Sequence, residues 1–330
     1  MLRPTLVLAL IAALLAGCGG GAVTSAPSSS PSPTPYAGPT GKTRILDATA
    51  GWPRRVDTPH GVVSVAQKPQ RIHTLSVGFD EITFRLVDPS RIVAISTSTA
   101  NPDISNVADL AAQVPLRVGR NAEQVIAARP DLVVAPPTAN ADLVKALEGA
   151  GLTVVLADLL SGVDAYEPNI RLLAYLYGEE ARAEQLITEI RDQLAKVDAI
   201  VSKQDPATRP RVLMLSGKIS AAGAGSNEDG IIRRSGGVNV AAEAGIAGNK
   251  NIGVEAIPAM RPDVIVLVES DPAKPVLRQL VIDNPALQDI VAIKNGRVSA
   301  IPQRYLTTLS HWNVRGVQEL ARILYPAAFR

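Results

Sequence analysis

The chain has 330 residues, 46% of them apolar, and its 33 basic and 31 acidic side chains leave a formal charge of +2. That balance offers no concentrated basic surface for nucleic acid. The one cysteine, Cys18, cannot form an internal disulfide or a zinc knuckle, so the fold must rest on its hydrophobic core.

Arg3 opens a short positive segment, Leu6–Leu15 is apolar and uncharged, and the small residues Ala16 and Gly17 precede Cys18. An apolar run of about ten residues is half of what a bilayer-spanning helix needs, so residues 1–17 read as a signal peptide. Leu15-Ala16-Gly17-Cys18 resembles the lipobox of bacterial lipoproteins, which implies cleavage before Cys18 and its diacylation. Ordinary signal-peptidase cleavage, with Cys18 incidental, is the alternative. From Gly19 to about Gly41 the chain is rich in Gly, Ser, Pro and Thr, too polar to offset its ordering entropy. Residues 18–44 are therefore expected to form a disordered stalk. Beyond it lie roughly 285 residues, enough for two lobes.

A β-hairpin is expected over Arg54–Val65, turning near Pro59-His60-Gly61. Short β-branched runs then alternate with helical spacing. The strands are Arg71–Ser76, Arg91–Ser96, Asp131–Ala135 and Thr153–Ala157; the helices are Asp80–Leu86, Ala122–Arg129 and Asn140–Ala150. Asp164–Ser202 carries apolar residues at intervals of three, four or seven, with a bend or a break at Gly178 left open. A second series follows: strand Arg211–Ser216, helix Glu228–Ser235, strand Asp263–Val268, a helix near Pro275–Ile282, strand Arg297–Ile301 and helix Ser310–Leu324. The fold class is α/β, with two lobes of largely parallel sheet, residues 45–163 and 205–330, joined by one long helix over residues 164–204.

The lobes echo each other. Glu123 precedes Arg129-Pro130-Asp131, and Glu255 precedes Arg261-Pro262-Asp263, each at the end of a short helix that feeds a buried strand. Each glutamate falls in a first helical turn, where the helix dipole favours a negative charge, so dipole-complementing surface acids are one reading. With Lys68-Pro69-Gln70-Arg71-Ile72 and Ser235-Gly236-Gly237-Val238-Asn239, these segments make the chain resemble the substrate-binding proteins of ABC importers for iron–siderophore complexes, haem and cobalamin. The resemblance spans Lys68 to the last helix. It implies a rigid connecting helix that permits only a few degrees of closure, and docking of Glu123 and Glu255 onto a permease dimer coupled to ATPase subunits. It also implies a monomeric receptor rather than an enzyme, lipid-anchored through Cys18 at the outer face of the cytoplasmic membrane, or on the periplasmic side if the host has two membranes.

Ligands of open α/β sheets bind beyond the carboxyl ends of the strands. Arg304 and Tyr305 follow a strand end there and suit a carboxylate or catecholate; a solvated Arg304 and a packed Tyr305 are the plain alternative. Phe79 is a candidate cleft wall or a core residue, and Lys218, Ser98, Thr99 and Thr138 lie on the same loops. His311 opens the last helix, either as a haem ligand or as a helix-capping residue. Gly223–Asn227 lacks the dinucleotide spacing, and Ser226 or Asn227 is better read as an N-cap. No converging His and carboxylate set predicts a bare metal ion, and no serine-hydrolase or zinc-protease motif appears. With aromatic residues at 3% of the chain, a ferric siderophore is the expected ligand, with a corrinoid or haem as the alternatives; no intrinsic cofactor is expected.

Overall fold

The computed structural model describes residues 43–47, 51–158, 162–270 and 276–329. Cys18, the signal peptide and most of the stalk lie outside the described residues. An antiparallel sheet comes first, β1 (Arg44–Ile45), β2 (Arg54–Thr58) and β3 (Gly61–Val65), with the hairpin where the sequence placed it. The buried Arg54 guanidinium donates to the Tyr175 carbonyl and lies 4.4 Å from the Trp52 ring centroid, which fastens this sheet to the helices behind it.

The first lobe runs β4 (Ile72–Thr74), α1 (Val77–Leu86), β5 (Ile92–Ser96), β6 (Leu116–Val118), α2 (Ala122–Ala127), β7 (Leu132–Ala135), α3 (Ala141–Gly149) and β8 (Val154–Leu156). Its sheet is wholly parallel, in the order β6-β5-β4-β7-β8. Strand β6 went unpredicted because Leu116 and Arg117 are exposed, so this edge strand has no continuous apolar run.

Two helices, α4 (Tyr166–Tyr177) and α5 (Glu180–Val201), occupy the stretch read as one. Gly178 stops α4 in the left-handed conformation, at φ 70°. Its amide donates to Tyr175 and that of Glu179 to Ala174, which closes a Schellman motif. The chain then reverses. Arg171 pairs with Glu184 at 2.8 Å and Glu167 with Arg191 at 2.6 Å, so α4 and α5 lie antiparallel. Helix α4 packs on α1 of the first lobe, and α5 packs on α11 of the second.

The second lobe comprises β9 (Arg211–Ser216), β10 (Ser220–Ala222), α6 (Asn227–Arg234), β11 (Val238–Asn239), α7 (Val240–Glu243), β12 (Asn249–Asn251), α8 (Ile257–Met260), β13 (Val264–Glu269), α9 (Val276–Ile282), α10 (Val291–Lys294), β14 (Val298–Pro302) and α11 (Asn313–Leu324). Its strand order is β12-β10-β9-β13-β14, with β11 also on β9. The pairings β9–β13, β13–β14 and β9–β11 are parallel, and the short β10 and β12 make an antiparallel flank.

Alternate residues of each buried strand serve different cores. Val212 and Met214 join the large core beneath α5, α6 and α11, whereas Leu213 and Leu215 face the smaller one beneath α7, α8 and α9. In the first lobe Leu132 and Val134 enter that same large core, while Val133 faces α2 and α3. One apolar core therefore runs through both lobes by way of Leu186, Ile190, Leu194 and Val197 of α5.

Candidate functional site

A cavity of about 600 Å³ opens at the carboxyl ends of β9, β13 and β14. Its wall is short and polar: Ser216 ends β9, Ser270 follows β13, and Gln303 and Thr307 follow β14. The amino end of α6 supplies Ser226, Asn227 and Glu228, and Asn249 of β12 closes the side. Ser226 is the N-cap, accepting from the Asp229 amide at 3.1 Å. Asn227 instead binds the neighbouring segments together: it accepts from the Gly162 amide at 3.0 Å and from Asn313 at 3.1 Å, and donates to the Leu306 carbonyl at 2.5 Å. A second hollow, of about 530 Å³, lies at the opposite pole, by Arg211, Arg261 and Asp263 at the amino ends of the strands. Ligands of such sheets bind at the carboxyl ends, so the first cavity is the candidate site.

The facing loops of the first lobe are organised by Asp80. Its buried carboxyl accepts from Thr74 Oγ1, from Thr99 Oγ1 at 2.5 Å and from the Ser96 amide at 2.9 Å, joining the carboxyl ends of β4 and β5. Burial pushes its pKa up to about 7, against the pull of the hydrogen bonds from Thr74, Thr99 and Ser96. Next to it, buried Glu81 accepts from the Asn106 amide at 2.7 Å and from Ser310 Oγ of the second lobe. Asn106 Nδ2 donates across the same seam to the Arg304 carbonyl at 2.7 Å. Close approach is needed here, because a Cβ on Gly78 would meet the Leu309 backbone nitrogen at 3.1 Å.

The sequence-proposed ligand residues do not all gather on this cavity. Arg304 donates to the Pro102 carbonyl at 2.7 Å and lies 5.1 Å from the Tyr305 ring centroid, so it spans the lobes beside the cavity. Tyr305 is half-buried against the large core. Phe79 takes the core alternative, at 3% exposure, because α1 begins three residues earlier than expected and turns that ring inward. Thr99 is fully buried with its hydroxyl given to Asp80. Ser98, Thr138 and Lys218 are exposed on their loops, and none of the three lines the cavity. His311 is buried, with its ring centroid 5.3 Å from that of Trp312, and both ring nitrogens lack a hydrogen-bond partner. Burial, aided by the charge of Arg85, lowers its pKa to about 3, and the Trp312 indole N–H beside it is also unpartnered. Among the described residues no group of three or more His, Cys, Asp or Glu is placed to hold a metal ion.

Asp80, Glu81, Asn106, Glu228 and Ser310 were not singled out from sequence, and Asn227 was read only as a possible N-cap. Only the order of acids after a strand end (Asp80-Glu81 behind Leu75-Ser76, Glu228-Asp229 behind Ser226) hinted at them.

The paired motifs fold alike. Arg129 and Arg261 both take φ 47°, out of the right-handed helical region as a following proline requires. Arg71 Nε donates to the Arg129 carbonyl at 2.7 Å, and Arg211 Nε to the Arg261 carbonyl at 3.2 Å. Asp131 accepts from the Arg71 amide at 2.9 Å, and Asp263 from the Arg211 amide at 2.9 Å. Arg-Pro-Asp is thus a structural clasp at the base of each lobe. Glu123 and Glu255 lie at the other end, exposed in the first turn after β6 and β12, on the cleft-side rim of their lobes.

Sequence comparison finds a cobalamin-binding protein of Halobacterium salinarum, 27% identical over 253 residues, which cover 76% of this chain and 68% of that protein. An uncharacterized ABC transporter substrate-binding lipoprotein of Bacillus subtilis, YvrC, is 25% identical over 284 residues, 83% of this chain and 86% of the relative. Among solved structures, a periplasmic heme binding protein from Pseudomonas aeruginosa superimposes with a TM-score of 0.67 at 26% identity, covering 78% of this chain and 94% of that one. The periplasmic binding protein family profile matches residues 72–305, which span β4 to β14, with α4 and α5 between, and most of the cavity wall. The chain belongs to the periplasmic binding protein family, among the substrate-binding proteins of ABC importers.

Proposed function

We propose that this protein is the extracytoplasmic receptor of an ABC importer, binding a metal chelate without turnover and handing it to a permease dimer served by ATPase subunits. The observation that carries this reading is the polar cavity of about 600 Å³ at the carboxyl ends of β9, β13 and β14, beside the seam where Glu81 and Asn106 meet the second lobe. A ferric siderophore is the first ligand reading, since the cavity wall mixes small polar side chains with glycines and the aliphatic Val268 and Leu309 and carries no aromatic face among the described residues. A corrinoid is the second, favoured by the cobalamin-binding relative from Halobacterium salinarum. Haem stands behind both: it is named in the Pseudomonas aeruginosa structure, yet neither ring nitrogen of buried His311 opens onto the cavity residues.

Exposed Glu123 and Glu255, one on each rim, suit two arginine-bearing subunits of a two-fold partner, because a carboxylate and a guanidinium pair through two parallel hydrogen bonds. Cys18 would carry the lipid and residues 18–44 the tether, which keeps the receptor close to its permease at high effective concentration. Mass spectrometry of the ligand that co-purifies from the native host, followed by titration of Trp52 and Trp312 fluorescence, tests the reading. Saturable binding of a chelate recovered intact is expected. Failure of ferric siderophores, corrinoids and haemin alike to bind, or chemical conversion of the bound compound, would overturn it.

A further inference from the structure

Glu228 stands apart from the rest of the cavity wall. It is the one ionisable group among the described residues that line the cavity; its neighbours there are hydroxyls, amides, glycines and aliphatic carbons. It is only 4% exposed, yet apart from its own backbone amide its carboxyl is given a donor only by Asn249 Nδ2, at a long 3.5 Å, among the described residues. Burial raises its pKa, and its own backbone amide and Asn249 offset that only in part. A carboxyl held out of water with acceptor capacity to spare is costly unless something else satisfies it. The open side of this one is the cavity.

Resting on the receptor reading, we propose that Glu228 selects the ligand by charge: it accepts a hydrogen bond from an ammonium or amide N–H on the periphery of the chelate and rejects chelates that carry carboxylates. The basic groups around it do not offset it. Arg233 pairs with Asp229 and Arg234 with Asp164 and Asp198, Lys218 and Lys250 are outside the cavity wall, and Arg304 is turned to the Pro102 carbonyl. An anionic chelate would meet an acid in a low-dielectric wall with no facing cation, whereas a cationic one would supply the missing donor.

Three probes test this on the full-length protein by tryptophan fluorescence: the ferric complex of desferrioxamine B, with a terminal ammonium; cyanocobalamin, with peripheral amides; and haemin, with two carboxylates. The wild type should bind the ammonium chelate about tenfold or more tightly than haemin. Glu228→Gln should narrow that ratio about tenfold by weakening the ammonium chelate and strengthening haemin, with cyanocobalamin shifted least. The wild-type order is a measurement in its own right, so the proposal stays testable if the variant folds poorly. Haemin binding as tight as the ammonium chelate, or a variant that shifts all three probes equally, overturns the role of Glu228 and leaves the receptor reading intact. A wild type that binds none of the three overturns the receptor reading and this proposal together.

Discussion

The carboxylate of Glu81, on α1 of the first lobe, accepts a hydrogen bond from Ser310 Oγ, on the loop that leads into α11 of the second. Both residues are buried, and Asn106 donates to the same carboxylate twice, from its backbone amide at 2.7 Å and from Nδ2 at 2.9 Å. The lobes are thus joined by a desolvated polar contact as well as by α5. Ser310→Ala leaves a buried carboxylate one donor short and should cost about 1–3 kcal/mol in urea unfolding. A change within a few tenths of a kcal/mol would show that the contact is not formed in solution.

The same seam limits motion. The large core passes through α5 into both lobes, so opening would have to expose apolar surface. Scattering curves of the free and chelate-saturated protein should nearly superimpose, and a large compaction on binding would contradict the continuous core.

Asp80 makes stability depend on pH. Unfolding returns its carboxyl to an ordinary value near 3.8, while the folded chain holds the proton until about pH 7. Its contribution is full below about pH 4 and is lost as pH rises toward 7, a span on the order of 4 kcal/mol. Buried Glu81, whose pKa burial also raises, acts in the same direction. Buried His311, whose pKa burial lowers, acts in the opposite direction up to about pH 6.5, so the Asp80 effect is read as a difference: the denaturant midpoint of Asp80→Asn relative to wild type should rise between pH 4 and pH 8.

Gly178 sits at φ 70°, and a Cβ there would meet Trp52 Cζ2 at 3.2 Å. Gly178→Ala should cost about 1–2 kcal/mol through the left-handed backbone alone. An unchanged melting temperature would mean that the α4–α5 turn takes another conformation.

Glu123→Ala together with Glu255→Ala should abolish uptake in cells while leaving chelate affinity unchanged, since both side chains are exposed and neither lines the cavity. Uptake that survives the double change would remove these glutamates from the docking surface.

Cys18→Ser should move the protein from the membrane fraction to the soluble one and abolish its labelling by a radioactive fatty acid. Retention at the membrane would show that Cys18 is not the anchor.

Much of this architecture was legible from residues alone. The runs Arg211–Ser216 and Asp131–Ala135 read as buried strands, because every position in them is apolar or lies at an end, their alternation with helical stretches made the sheet parallel, and they emerge as β9 and β7. The Arg-Pro-Asp pairs announced two related lobes, since a proline ends a helix by local sterics that need no tertiary partner. Strands β10, β11 and β12 stayed hidden. Ser220–Ala222 and Asn249–Asn251 carry no hydrophobic period; the first becomes a strand only because β9 presents an edge, and the second only because β10 does.

The sequence by itself determined the class of fold, the number of lobes and the outward placement of Glu123 and Glu255, because periodicity, proline sterics and dipole preference act within a few residues. Tertiary structure alone decided that Asp164–Ser202 folds back on itself, that Thr99 serves Asp80, and that Glu81 reaches Ser310 from 229 positions away. It also decided that Glu228, outwardly one more acid in a first helical turn, is buried in the cavity wall. Burial and pairing across such distances depend on which surfaces pack together, and no local pattern encodes that.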